Sequence, residues 1–155
     1  MIFASFGNVP KDFSRFARAL DTFAGTTEEK VYVQYGYTLF SFQKAIGIQF
    51  LTHDELMDYI RKADIVVLQG GWGTISEALF LHKRIVAVSR RPPLEHNHEQ
   101  TDLVRKLEEL GCIIGVYDEK DLPKKIERAR SFVFQKLQRG SAKAVIQQKL
   151  REWKI

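Results

Sequence analysis

Short, nearly continuous apolar runs alternate along this chain with stretches in which apolar residues recur every three or four positions. The runs are Ile2–Phe6, Val31–Tyr35, Ile48–Leu51, Ile65–Gln69, Ile85–Ser89 and Ile113–Tyr117. Several lack the in-out alternation of a half-exposed strand, which predicts parallel strands covered on both faces. The intervening stretches have helical period. Phe13, Phe16, Ala17, Leu20 and Phe23 share one face of a first helix, with Asn8 as its expected cap, Pro10 in its first turn and Gly25 at its end. Thr52 and Glu55 have capping-box spacing before a second helix with Leu56, Ile60 and Ala63 on its buried stripe. A third helix is expected from near Thr74 and a fourth from near Asn97 to Gly111. A fifth is expected from near Asp121-Leu122-Pro123, and a last amphipathic one over about 141–155.

Strand-helix alternation of this kind predicts an α/β fold: one Rossmann-like, doubly wound parallel sheet occupying residues 1–155. Ligands of open parallel sheets lie beyond the carboxyl ends of the strands. The loops of interest are therefore 7–10, 35–38, 69–74, 90–98 and 118–121.

Composition narrows the class. The 155 residues suit one domain, and no apolar run is long enough to cross a membrane. The first residues lack the basic flank of a signal peptide. Cys112 is the only cysteine, so an internal disulfide is impossible and the reducing cytoplasm is the expected compartment. The net charge of +5 is unevenly placed. Residues 123–155 carry ten of the 24 Lys and Arg but two of the 19 Asp and Glu, which puts +8 there and −3 on the rest. Such a segment suits an acidic partner, an anionic membrane face or plain solvation. No nucleic-acid-binding motif or interleaved aromatic patch accompanies it, so no nucleic-acid partner is expected.

Gln69-Gly70-Gly71-Trp72-Gly73-Thr74-Ile75-Ser76-Glu77 follows the fourth strand and opens a helix. Glycines let a ligand approach the backbone, and a helix start offers amide N–H groups and partial positive charge. Gly70, Gly71 and Gly73 are more than a tight turn needs, and together with Thr74 they suit a phosphate or diphosphate. Glu77 has two readings: a ribose-binding carboxylate, or the partner of Thr74 in a capping box. The spacing is not that of the G-x-G-x-x-G dinucleotide fingerprint. A second cluster, Arg90 to Gln100, follows the fifth strand. Its Asn97, His98, Glu99 and Gln100 suit sugar hydroxyls, while His96 and His98 lack the companions a metal site requires. Gly7 and Asn8, at the first strand-to-helix turn, would stand beside both loops.

Taken together, Gly70-Gly71-Trp72-Gly73-Thr74 with Ser76-Glu77, then Asn97-His98-Glu99-Gln100, then Leu107 to Gly111, resemble the C-terminal domain of family 28 glycosyltransferases. That domain is the UDP-sugar-binding half of the GT-B fold. The resemblance covers nearly the whole chain. The single-domain length is similar to stand-alone C-terminal halves, such as those of the eukaryotic lipid-linked GlcNAc transferase and the PssE- and EpsF-type exopolysaccharide subunits. It implies a donor-binding subunit that transfers a sugar from a UDP-sugar to a lipid-linked acceptor, with inversion, in polysaccharide biosynthesis. The acceptor half would come from a PssD-like membrane-associated subunit, or its eukaryotic counterpart, recruiting this chain to the cytoplasmic membrane face.

Carried over by position, the resemblance implies that Gly70–Thr74 hold the diphosphate and that Glu77 takes the ribose. Glu99 and Gln100 would meet the donor sugar, and Gly7 and Asn8 would line the cleft toward the acceptor. Glu99 stands where the peptidoglycan enzyme of the family has a glutamine. Neither a metal nor a cofactor is expected: no D-x-D motif is present, and amides can stabilise departing UDP. No residue is a convincing general base, so the base is expected on the partner. Two other readings compete. The Gly-Gly-x-Gly-Thr-x-x-Glu string also occurs in LOG-type phosphoribohydrolases, and a non-catalytic UDP-sugar-binding module would share the same features.

Overall fold

The computed structural model describes residues 1–138, 140, 147, 148 and 150–152. In chain order the elements are β1 (Ile2–Ser5), α1 (Ser14–Ala24), β2 (Val31–Gln34), β3 (Ile46–Ile48), α2 (His53–Lys62), β4 (Ile65–Gln69), α3 (Trp72–Phe80), β5 (Arg84–Val88), α4 (Thr101–Glu109), β6 (Ile114–Val116) and α5 (Leu122–Ser131). A 3₁₀ turn, Glu119–Asp121, precedes α5. The six strands form one sheet of order β3-β2-β1-β4-β5-β6, parallel throughout. This is the expected doubly wound α/β architecture.

Strand side chains alternate between two cores. Ile2, Ala4, Val31, Val33, Ile65, Val67, Val86 and Val88 face Phe16, Leu20, Leu122 and Ile126 of α1 and α5. Phe3, Val66, Leu68, Ile85 and Ala87 face Ile60, Ile75, Ala78, Val104 and Leu107 of α2, α3 and α4. Because both faces are covered, the central strands read as unbroken apolar runs rather than alternating ones.

Several boundaries differ from the sequence expectation. α1 begins at Ser14, so neither Asn8 nor Pro10 starts it. The Asp12 carboxylate holds this start instead, accepting from the Ser14 amide at 3.1 Å and the Leu39 amide at 3.0 Å. β3 pairs through Ile46–Ile48 rather than 48–51, since an edge strand with exposed Ile46 leaves a weak apolar signal. α3 begins at Trp72, two residues before Thr74. α4 begins at Thr101 rather than near Asn97. The Glu99 carboxylate accepts from the Gln100 and Thr101 amides at 3.0 and 2.8 Å, so it and not Asn97 holds that helix start. The Thr52 capping box forms as expected, with Thr52 N donating to Glu55 at 2.8 Å. The final helix falls mostly outside the described residues. Gln147, Gln148 and Leu150–Glu152 are helical.

The crossover from β2 to β3 contains no helix. It is pinned to α1 by Asp21, whose carboxylate accepts from the amides of Gln43 (3.0 Å), Lys44 (2.8 Å) and Ala45 (2.9 Å). Burial pushes this carboxyl up, but the backbone donors outweigh burial and hold it below the usual range. Replacing Asp21→Ala is expected to cost about 1.5–3 kcal/mol, the range for hydrogen bonds to a charged group. Because the folded value is depressed, this stabilisation is present above the unfolded value of about 3.9 and disappears as pH falls through the folded one. Urea unfolding of both proteins at pH 7 and pH 2 checks this. An unchanged gap between them at pH 2 would rule out the charged contact as its source.

Candidate functional site

β1 and β4 lie side by side, but β1 leads to α1 on one face and β4 leads to α3 on the other. Where neighbouring connections part in this way, a crevice opens at the carboxyl edge. Here it is a cleft of about 200 Å³ lined by Ser5, Gly7, Asn8, Gln34, Leu51, Leu56, Gln69, Gly71, Gly73 and Thr74.

The three glycines of the β4–α3 turn have different roles. Gly70 is a packing glycine. Its amide donates to Val88 O at 2.8 Å, and a Cβ there would stand 3.0 Å from both Gln100 Cβ and Val104 Cγ2. Gly71 is the N-cap of α3, and its own amide donates to Gln69 O at 2.8 Å. Gly73 lies inside the first turn of the helix, and a Cβ there would have no neighbour within 4 Å. No side chain caps α3, so the first-turn amides of Trp72, Gly73 and Thr74 lack an intrahelical acceptor. Trp72 is half-exposed at this helix start.

Thr74 and Glu77 do not form a capping box, because α3 already starts at Trp72 and places Thr74 within the helix. Glu77 sits about one turn further along. Its Oε1 is 3.7 Å from Nε2 of exposed His53, at the start of α2.

Beneath the first loop, Ser5 Oγ donates to Gln34 Oε1 at 2.6 Å. Gln34 Nε2 lies 3.4 Å from Gly7 O and from Asn8 Oδ1, and 3.3 Å from Gln49 O. Gly7 has φ +69° and Gly36 has φ +57°, and a Cβ on Gly36 would stand 2.6 Å from Gly7 O. Only glycine suits these two positions, where the loops after β1 and β2 meet backbone to backbone.

Arg90, immediately past β5, is 1% exposed. Its Nε donates to Gln69 Oε1 at 2.7 Å and its Nη2 to Phe6 O at 2.8 Å. Its Nη1 lies 3.1 Å from Lys11 O and 3.0 Å from Glu95 O. The guanidinium also stacks 4.4 Å from the Phe13 ring centroid. Burial lowers its pKa to about 10, so it remains charged at neutral pH. One side chain thus ties together the loops after β1, β4 and β5. A second arginine, Arg15, braces the outer part of the β5 loop. It donates to both Glu95 oxygens at 2.7 and 2.9 Å and to Glu119 at 3.0 Å.

The expected sugar-binding residues separate into two groups. Asn97, His98 and Glu99 are exposed, and His96 Nδ1 lies 3.0 Å from the His98 amide within its own loop. Gln100 is buried, and its Oε1 accepts from the Arg90 amide at 3.1 Å. It backs the glycine turn, with Nε2 as the end nearer Gly71. Gly7, Asn8, Gly71, Gly73 and Thr74 come together around the cleft, whereas Gly70 and Gln100 lie behind it and Glu77 lies to one side.

Sequence reasoning gave no role to Ser5, Gln34, Gln69 or Arg90, although Gln69 and Arg90 stand in loops it singled out. A signal was available: Ser5, Gln34 and Gln69 close otherwise apolar strands, and Arg90 stands two residues past one. A polar residue at the carboxyl end of a doubly covered strand is held at the ligand edge of the sheet.

The fold is an open α/β sheet that matches the C-terminal domain of GT-B glycosyltransferases. Residues 9–153 match the glycosyltransferase family 28 C-terminal domain, and the chain belongs to that family. No curated protein matches the sequence. Among solved structures, the chain is similar to CalG4, the calicheamicin glycosyltransferase, with TM-score 0.67 and 18% identity over 84% of this chain and 33% of that one. It is also similar to the glycotransferase of kitacinnamycin (TM-score 0.66, 16% identity, 84% and 34%) and to Acinetobacter baumannii MurG (0.61, 14%, 84% and 41%). The chain therefore spans between a third and about two-fifths of the length of these enzymes. At such identities the likeness is one of fold.

Proposed function

We propose that this chain is the donor-binding half of an inverting glycosyltransferase that uses a UDP-sugar and a lipid-linked acceptor in polysaccharide biosynthesis. The observation that carries this reading is the uncapped start of α3 at the glycine-lined crevice, in a chain of this family. The amides of Trp72, Gly73 and Thr74 receive the diphosphate and stabilise the charge that develops on departing UDP. No metal is assigned to this step. Glu77, one turn beyond, accepts from the ribose hydroxyls, and the 97–100 loop approaches the sugar with Asn97, His98 and Glu99. Glu99 uses Oε1 to hold α4, which leaves Oε2 for a sugar hydroxyl.

The acceptor half belongs to a separate membrane-associated subunit that recruits this chain to the cytoplasmic face. One observation supports this: the loops at the carboxyl edge of the sheet expose Tyr37, Leu39, Phe50, Trp72 and Leu94, apolar side chains that a second subunit would cover. No described helix is long and apolar enough to cross a membrane.

Calorimetric titration of the purified chain with UDP tests the donor site, and measurable binding is the expected result. No heat and no competition with UDP-sugars would remove the reading. The second half of the proposal is tested by a transfer assay. Robust transfer to a lipid-linked acceptor by this chain alone would refute dependence on a partner.

A further inference from the structure

We propose that Gln69 is a donor-binding residue and that Arg90 is the positioning residue that aims its carboxamide into the cleft. This inference rests on the donor-site reading above. A guanidinium only donates hydrogen bonds. Arg90 Nε stands 2.7 Å from one end of the Gln69 carboxamide, so that end is the carbonyl oxygen and the other is the N–H₂ group. The ambiguity of amide orientation is thus removed by chemistry.

The N–H₂ end points where a ligand would lie. A Cβ on Gly7 would stand 2.2 Å from Gln69 Nε2, and one on Gly71 would stand 3.3 Å from it. The nitrogen therefore projects between the glycine that follows β1 and the glycine that caps α3, on the floor of the crevice. Both backbones approach it closely because neither carries a side chain.

Arg90 cannot readily swing away. Its remaining nitrogens are held by the carbonyls of Phe6, Lys11 and Glu95, and the group is sandwiched against Phe13. Among the described residues no carboxylate pairs with it within 4 Å. Its hydrogen-bond acceptors are all neutral, one of them the Gln69 carbonyl, while the Glu95 and Asp12 carboxylates favour its charged form from a distance. Donation into that carbonyl polarises the amide and strengthens its N–H₂ as a donor. An anion resting on Gln69 Nε2 completes the chain from cation through amide to anion. A diphosphate has the charge and the oxygen acceptors for this position.

Gln69→Glu separates binding from architecture. The carboxylate keeps an acceptor for Arg90 and gives the buried cation a counter-charge, but it turns the donor facing the cleft into an anion. Gln69→Met keeps the volume and removes both interactions. Each variant and the unaltered chain are titrated with uridine and with UDP by NMR, which reads millimolar and micromolar affinities alike, and thermal unfolding is recorded alongside. For Gln69→Glu we expect a melting temperature at or above that of the unaltered chain. UDP affinity should fall roughly 10- to 100-fold, the worth of a lost hydrogen bond to a charged group, while uridine affinity stays the same. Gln69→Met should lose about 10-fold toward UDP alone. Arg90→Lys keeps the charge without the fork and should show the same selective loss toward UDP. If the glutamate variant does not fold, the methionine variant decides. Unchanged UDP affinity in both Gln69 variants would overturn the inference. Equal losses toward uridine and UDP would also do so, since they mark a packing role. Failure of the unaltered chain to bind UDP is distinguishable from either, because it removes the donor-site reading itself.

Discussion

Replacing Arg90→Met should destabilise the fold by about 3–5 kcal/mol, because several buried acceptors lose their donor at once. Methionine approximates the length and apolar stem of arginine but donates nothing. Gln69 Oε1 and the carbonyls of Phe6, Lys11 and Glu95 would each lose a charged donor. A buried acceptor left alone costs roughly 1–3 kcal/mol, and entry of water into the cavity offsets part of the sum. Contact with the Phe13 ring is lost as well. The expected signature is a lower urea midpoint with an unchanged slope. A loss below about 1 kcal/mol would show that these four acceptors are satisfied without the arginine.

Gly73→Ala should have effects of opposite sign on stability and binding. Gly73 is helical, has no positive φ, and a Cβ there meets nothing within 4 Å. Nothing in the fold requires glycine at this point, and glycine within a helix costs roughly 0.5–1 kcal/mol relative to alanine. The alanine variant should therefore be more stable by about that amount. Its new methyl group would stand where a diphosphate must approach the first-turn amides of α3. Overpacking of about 1–3 kcal/mol corresponds to a loss in UDP affinity of roughly 5- to 150-fold. Gly70→Ala is the contrasting case, since its Cβ would crowd buried Gln100 and Val104 at 3.0 Å and should destabilise the fold. Thermal unfolding and UDP titration of the two variants separate a glycine kept for a ligand from one kept for packing. If Gly73→Ala bound UDP normally, the first-turn amides would not be the diphosphate site.

The glycine turn shows how far sequence reasoning reaches. The string from Gly70 to Thr74 was recognisable as an amide-rich helix start, but its glycines looked equivalent. Their division into packing, capping and open positions depends on what lies across from each, and the facing residues are Gln100, just before α4, and Val104 within it. Glu77 makes the same point. Its spacing from Thr74 is that of a capping box, yet a helix starting two residues earlier puts His53, not a backbone amide, beside its carboxylate. The start of α4 was misplaced because the residue that holds it, Glu99, acts through its side chain on amides one and two positions away.

What the chain's order of residues determined alone was the alternation of strands and helices, the doubly wound sheet, the edge at which the candidate cleft opens and the glycine turn after β4. Periodicity and local backbone preference act over a few residues, so they are written in short stretches of sequence. Which polar groups meet at that edge was decided only by tertiary structure. Arg90 joins Phe6, Lys11, Gln69 and Glu95 because the strand order sets β1, β4 and β5 side by side. A buried cation takes whatever acceptors that arrangement supplies, and no short-range pattern records which ones those are.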